Sequence, residues 1–550
     1  MKRIYSLCLA GSLLVGLLTS SCSKKIDDAY LNPNADVKKP IEELLPNIIA
    51  NMTANFSAAG SGYGTQNDIL YIARYVQYWA TNTTNNQYDR MGPQSPFSNT
   101  SSVMGAVWAA HYFGQGMNIE RVIEWGTEEK KWDYVGVVYA IRAWSWLTLT
   151  NLHGEVILHD AFKDLLTFRY DPQSDVYDRV RAECHLALDY LSRTGDGVSQ
   201  ANLAKGDAYM NNGDVEKWKK FTYAVLARSF NHLTNKSTYS ADSVIKYCNL
   251  ANMTSNNDNT TMRFAQTGVS ATFNYFAAFR GNCNTLRQTR FAAELLSGKN
   301  PALTNTTTPL VDPRAPYLIR ENANGTYLGG RPTKGADGLV AADQPEGYNG
   351  QLYTTTTAPA NDAGSRYVFK NDAKIPIITA SEVQFMKAEA LYRKGLKGQA
   401  LAAYTLGVNL SFDLLVADYE ANVPAARRMN ATTRAAYFAD PNNIPTDENN
   451  LTLSKIMLQK YIALFIHGSI ETWVDLRRYH YAVDQEGGFP VYRNFAVPDN
   501  ADLWPTNNFL PVQRCLPRGA SEAYNLAEFN KIGGNRPDYH TIEQWFSKPE

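Results

Sequence analysis

The chain has 550 residues, 44% hydrophobic and 19% charged, which is enough apolar material for a large core and excludes a disordered chain. Lys plus Arg equals Asp plus Glu, 53 against 53, so no basic field exists to hold nucleic acid or anionic lipid. Six cysteines without a Cys-x-x-Cys pair exclude a disulfide scaffold, while 33 Tyr, 10 Trp and 22 Phe beside runs of Asn and Thr suit a neutral polar ligand.

Met1-Lys2-Arg3 is a short basic region, and Ile4 to Leu18 is apolar. That stretch is shorter than the roughly 20 apolar residues of a membrane-spanning helix, so it is read as a signal segment. Thr19-Ser20-Ser21 and then Cys22 follow, and a cysteine after small residues at this place resembles a bacterial lipobox. In such signals the thiol receives diacylglycerol and the cysteine becomes the new amino terminus. An ordinary secretory signal cut near Ser21 is the alternative. The expected organisation is a signal peptide over 1–21, a lipid-anchored tether over 22–40 and a single domain over 41–550. Ser23-Lys24-Lys25-Ile26-Asp27-Asp28 resembles the export signal of surface-exposed lipoproteins. Cys184, Cys248, Cys283 and Cys515 remain as either buried free thiols or a bridge.

Apolar residues at three- and four-residue spacing predict helices over 41–59, 66–80, 101–125, 131–152, 174–193, 215–234, 240–252 and 285–297. Residues 299–375 turn to Thr, Asn, Gly and Pro, and predict an insertion of short strands and binding loops. Helices resume from 376 to about 480. Ala388, Leu391, Tyr392, Gly395, Ala400, Leu401 and Tyr404 have the spacing of a tetratricopeptide (TPR) helix–turn–helix, with alanines for close approach and aromatics between the helices. Comparable helices at 139–146 and 221–230 indicate dispersed TPR-like hairpins in a mainly α fold.

No phosphate-cradling loop, His-Glu-x-x-His pattern or Gly-x-Ser-x-Gly elbow occurs, and no catalytic residue, metal ligand or cofactor is assigned. Binding chemistry is better represented. A sugar presents a C–H face that packs on Trp or Tyr, and hydroxyls that pair with amides and guanidinium groups. Tyr78 and Trp79, followed by Asn85, Tyr88 and Arg90, supply both kinds at a helix end entering a loop, and Tyr275 stands in a second aromatic segment. Tyr71, Tyr75, Tyr78 and Trp79 fall at helical spacing, so core packing competes with ligand contact there.

Several segments together resemble the SusD/RagB family of nutrient-binding outer-membrane lipoproteins, in its SusD-like branch. These are Tyr134 to His159, Lys217 to Phe230, Asp312-Pro313-Arg314, Pro376 to Ala390, Gln459 to Phe465, Trp473 to Arg478, and Leu516-Pro517-Arg518 with Glu522 and Asn525. The chain departs from the family pattern at Ile157, where proline is usual, and at Ala224, where Asn is common. The resemblance implies a SusD-like fold at the cell surface, anchored in the outer membrane. It implies a non-enzymatic protein that captures an oligosaccharide and delivers it to a SusC-like TonB-dependent transporter, with the TPR-like side near Ala388–Tyr404 as the contact. A peptide ligand is the alternative, followed by a surface glycosidase and by a purely structural interaction protein.

Overall fold

The computed structural model describes residues 38–53, 63–92, 104–264, 273–278, 280–304, 308–352 and 357–550; Cys22 and the rest of the amino-terminal segment lie outside the described residues. Twelve longer helices carry the architecture. They are α1 (Ile41–Ala50), α2 (Thr65–Tyr75), α3 (Gly116–Glu128), α4 (Trp132–His153), α5 (Gln173–Leu191), α6 (Val215–Asn231), α7 (Ala241–Ala251), α8 (Ala380–Arg393), α9 (Lys397–Tyr419), α10 (Ala431–Ala439), α11 (Leu453–Ala463) and α12 (Ser469–Arg478). They pack in pairs, α4 on α5, α6 on α7 and α8 on α9. Side chains that hydrogen-bond the first free backbone N–H groups start several of them: Asp214 before α6, Thr379 before α8 and Asn430 before α10.

The α8–α9 turn shows why the TPR-like spacing is legible. Gly395 sits at φ 80° and ends α8 in a left-handed turn. The Leu396 N–H then donates to the Leu391 carbonyl at 2.9 Å and the Gly395 N–H to the Tyr392 carbonyl at 2.9 Å. Ala388 and Tyr404 are both fully buried, and the Tyr404 ring meets Phe385 edge-on. They are therefore unavailable to a partner, while the turn between the two helices, Arg393–Gln399, is largely exposed.

Helix α4 differs from its predicted one-sided stripe, because it is buried along nearly all its length and forms the hub of the core. Arg142 is stabilised there by Glu183 at 3.0 Å and by Glu120. Three segments far apart in sequence also converge on buried charge. Arg228 of α6 makes two bonds to Glu382 at 2.6 and 2.7 Å, Arg478 of α12 pairs with Glu389 at 2.9 and 3.0 Å, and Lys460 meets Asp475 at 2.8 Å. Burial alone would raise Glu389, but Arg478 overrides it and holds the carboxyl far below the usual range. Arg477 has a different role and donates to the carbonyls of Asn151 and Gln513.

Strands are few and short. β1 (Trp79–Thr81) pairs antiparallel with β3 (Leu286–Gln288), and β2 (Thr260–Met262) with β4 (Ile375–Ile378). The loop-rich stretch before β4 adds the isolated bridges Thr84–Lys334 and Thr289–Gly330. Cys184, Cys248, Cys283 and Cys515 are buried free thiols.

Candidate functional site

Helix α2 stops at Tyr75, not at residue 80. Gln77 takes φ 60°, the Tyr78 N–H closes on the Ala73 carbonyl at 2.9 Å, and the chain leaves as strand β1. This reversal turns Tyr78 and Trp79 inward, and both are fully buried. The Tyr78 hydroxyl donates to the Tyr461 carbonyl at 2.8 Å and lies 2.7 Å from the Thr472 hydroxyl. The Trp79 indole N–H donates to the Leu70 carbonyl at 3.2 Å, and its ring meets Tyr348 and Phe276 edge-on. With every polar atom satisfied and no ring face open, these two residues are core, which corrects the expectation that they touch ligand.

What remains outside is a compact aromatic face. Tyr71 and Arg74, three residues apart on one side of α2, meet Tyr88 from the loop after β1. The Tyr71 and Tyr88 rings lie 4.7 Å apart at 62°, and the Arg74 guanidinium lies 5.5 Å from the Tyr88 ring centre. The loop is held from beneath. Arg74 donates to the Asn86 side chain at 2.8 Å and lies 3.4 Å from Asp89, while Asp89 accepts from the Thr81 N–H at 2.9 Å. Burial raises the Asp89 carboxyl, with Arg74 opposing. Tyr71 and Tyr88 are each half-buried, so part of each side chain stays exposed to solvent.

Asn85 is exposed at the loop tip, at φ 56°, its N–H on the Thr333 carbonyl at 3.1 Å. Tyr275 is brought to the same region but is 6% exposed, so it supports the face from behind. Burial, and then the neighbouring Tyr71, raise its hydroxyl. Arg90 does not join them. Its guanidinium donates to the Asp502 and Leu503 carbonyls at 2.9 and 3.2 Å and stacks over Trp504 at 5.0 Å, a scaffold role. The rest of the second aromatic segment is likewise structural: Phe276 is buried, Arg280 binds Asn371 at 2.6 Å, and Arg287 donates to the Asn284 and Leu286 carbonyls. Asn86 belongs to the run of amides that follows Trp79 in the sequence; Arg74 was not anticipated, and the signal for it was its position one helical turn after Tyr71.

Among the described residues no group of three His, Cys, Asp or Glu could hold a metal ion. The face offers stacking surface, amides and one guanidinium, which is recognition chemistry.

The family described as "Starch-binding associating with outer membrane" matches residues 33–488. The chain belongs to the SusD-like family. Solved structures agree in fold. A SusD/RagB family protein from Bacteroides thetaiotaomicron has a TM-score of 0.65 at 19% identity, over 93% of this chain and 100% of that one. A SusD homologue from Bacteroides fragilis has 0.66 at 16%, over 92% and 100%. A chitin-binding SusD homologue from Flavobacterium johnsoniae has 0.62 at 18%, over 93% and 99%. A search of curated proteins returns no match.

Proposed function

We propose that this SusD-like protein is a non-catalytic, lipid-anchored surface protein that captures an oligosaccharide on the Tyr71–Arg74–Tyr88 face, with Asn85 at its edge, and delivers it to a SusC-like TonB-dependent transporter. The observation that carries the reading is a pair of half-buried tyrosine rings fixed by the Arg74–Asn86–Asp89 set, in a chain of a family described as starch-binding. The rings would desolvate the C–H side of a sugar while Arg74, Asn85 and Asn86 bond its hydroxyls. Chitin binding in the Flavobacterium johnsoniae homologue supports a glycan as ligand class.

Glycan binding by the purified protein and its Tyr88→Ala variant tests the site; equal binding by both would place the ligand elsewhere. Anchoring is tested by metabolic labelling with palmitate, which the native chain should take up and Cys22→Ala should not. The transporter should copurify in mild detergent as a large barrel, and its absence where barrels stay folded would refute the pairing.

A further inference from the structure

A second recessed surface lies at the Asp312-Pro313-Arg314 turn, lined by none of the residues of the aromatic face. It is a pocket of about 580 Å³ between this turn, the Gly325–Tyr327 loop and the start of α10. Its construction follows from the turn. Arg314 is fully buried, forks onto Asp312 at 3.0 and 2.6 Å, and reaches the Tyr437 hydroxyl of α10 at 3.2 Å. One guanidinium thus neutralises the only acid in the lining and fixes α10 against the turn.

The other charges there are positive: Lys299, Arg427 and Arg428. Arg427 is shared with Glu321 at 3.7 Å and Arg428 with Glu420 at 3.1 Å, both acids lying outside the lining. Lys299 is exposed and has no ion pair among the described residues. Asn430 caps the Thr433 N–H of α10 at 3.0 Å, while the N–H group of Thr432, in the lining, precedes the first intrahelical bond and belongs to the positive end of the helix dipole. Ser297, also in the lining, is 7% exposed and its hydroxyl has no partner. An orphan hydroxyl, an unshared ammonium and a helix amino terminus on one pocket call for an anion. Leu310, Pro313 and Met429 supply an apolar wall, and the volume far exceeds an inorganic ion, so the anion belongs to a larger molecule with a C–H face.

We propose that this pocket binds the carboxylate or sulfate group of an acidic sugar residue, as a glycan contact separate from the tyrosine face. The proposal rests on the reading of the ligand as a glycan. The full-length protein in detergent is titrated with a galacturonate oligomer, a sulfated galactan oligomer and a neutral oligomer of equal length. Each titration is repeated with Lys299→Ala, Arg428→Gln and Tyr88→Ala, with melting measured for every variant. At least one charged oligomer should bind more tightly than the neutral one and weaken about tenfold in Lys299→Ala and Arg428→Gln, while binding of the neutral oligomer is unchanged. Which charged oligomer responds identifies the group. Equal binding of charged and neutral oligomers overturns the proposal, as does a charged preference that survives both variants. Displacement by inorganic sulfate at matched concentration would reduce the pocket to an anion site and also overturn it. Neutral binding lost only in Tyr88→Ala, with no charged preference, leaves the tyrosine face standing and this pocket refuted; no binding of any oligomer refutes both.

Discussion

Two pairs of residues in one short stretch meet opposite fates. Tyr71 and Arg74 lie on the outer side of α2 and form the floor of the candidate site, while Tyr78 and Trp79, a few residues later, are sealed in the core. Composition does not separate them, since both pairs offer a ring beside a group that can hydrogen-bond. The backbone separates them. A continued helix would carry Tyr71, Tyr75 and Tyr78 round one side, but the positive φ at Gln77 ends it and lays the next residues against β3, opposite Gln288 and Arg287. Within this stretch an aromatic side chain is available to a ligand where the chain leaves it partly exposed, and is a structural group where it does not.

Truncation at the buried member should break this comparison most visibly. Trp79→Ala removes a ring packed on Tyr348 and Phe276 and should cost about 3–5 kcal/mol of folding stability, read in chemical or thermal unfolding. Stability within 1 kcal/mol of the native chain would mean that Trp79 is not core. Tyr88→Ala should act on the other side of the comparison. It should lose about 2 kcal/mol of glycan affinity, roughly thirtyfold, with melting nearly unchanged. A large loss of stability with Tyr88→Ala would show that its ring serves the fold.

Arg90 sharpens the distinction with a smaller effect. Its donors are spent on the Asp502 and Leu503 carbonyls and its plane on Trp504. Arg90→Ala should cost about 1 kcal/mol of stability and leave glycan affinity unchanged, whereas Arg74→Ala should weaken binding. Reduced affinity in Arg90→Ala without loss of stability would return Arg90 to the site.

These contrasts mark what the sequence could and could not reveal. The α8–α9 hairpin was readable because Ala388, Gly395 and Tyr404 each do locally what their chemistry suggests: close approach, a left-handed turn and filling. The Asp312–Arg314 turn and the Gln459–Arg478 region were readable as motifs, but not that Arg478, Glu389 and Asp475 meet in the core, because that pairing joins α8 to α12. The break at Gln77 left no trace, since glutamine is not a residue that announces positive φ. The helix predicted over 285–297 begins late for a related reason. Residues 286–288 pair with β1, and the helix begins only at Arg290 behind the Thr289 cap. The candidate face lies in the stretch that the sequence singled out, but Tyr78, Trp79 and Arg90 of that stretch are turned to the core or the scaffold, because the turn at Gln77 sets which side chains face outward.

The smallest effect separates fold from site by pH. His480 lies between Asp484, at 2.9 Å from one ring nitrogen, and Glu543 of the carboxy-terminal segment, at 3.1 Å from the other. The bond to Glu543, opposed by partial burial and reinforced by Asp484, pushes its pKa up to about 9 from the usual 6.5. A group raised on folding adds stability that is fully present below pH 6.5 and is lost as the pH climbs through about 9. The ring is partly open to solvent, so screening keeps the effect small, on the order of 1 °C in melting temperature. His480→Asn should abolish this slope between pH 6.5 and 9. His480 is held by Asp484 and Glu543, outside the tyrosine face, so glycan affinity should be the same in the native chain and in His480→Asn at each pH between 6.5 and 9. An affinity that follows the melting curve, and loses its pH dependence in His480→Asn, would mean that binding depends on the carboxy-terminal packing and that fold and site are not separable here.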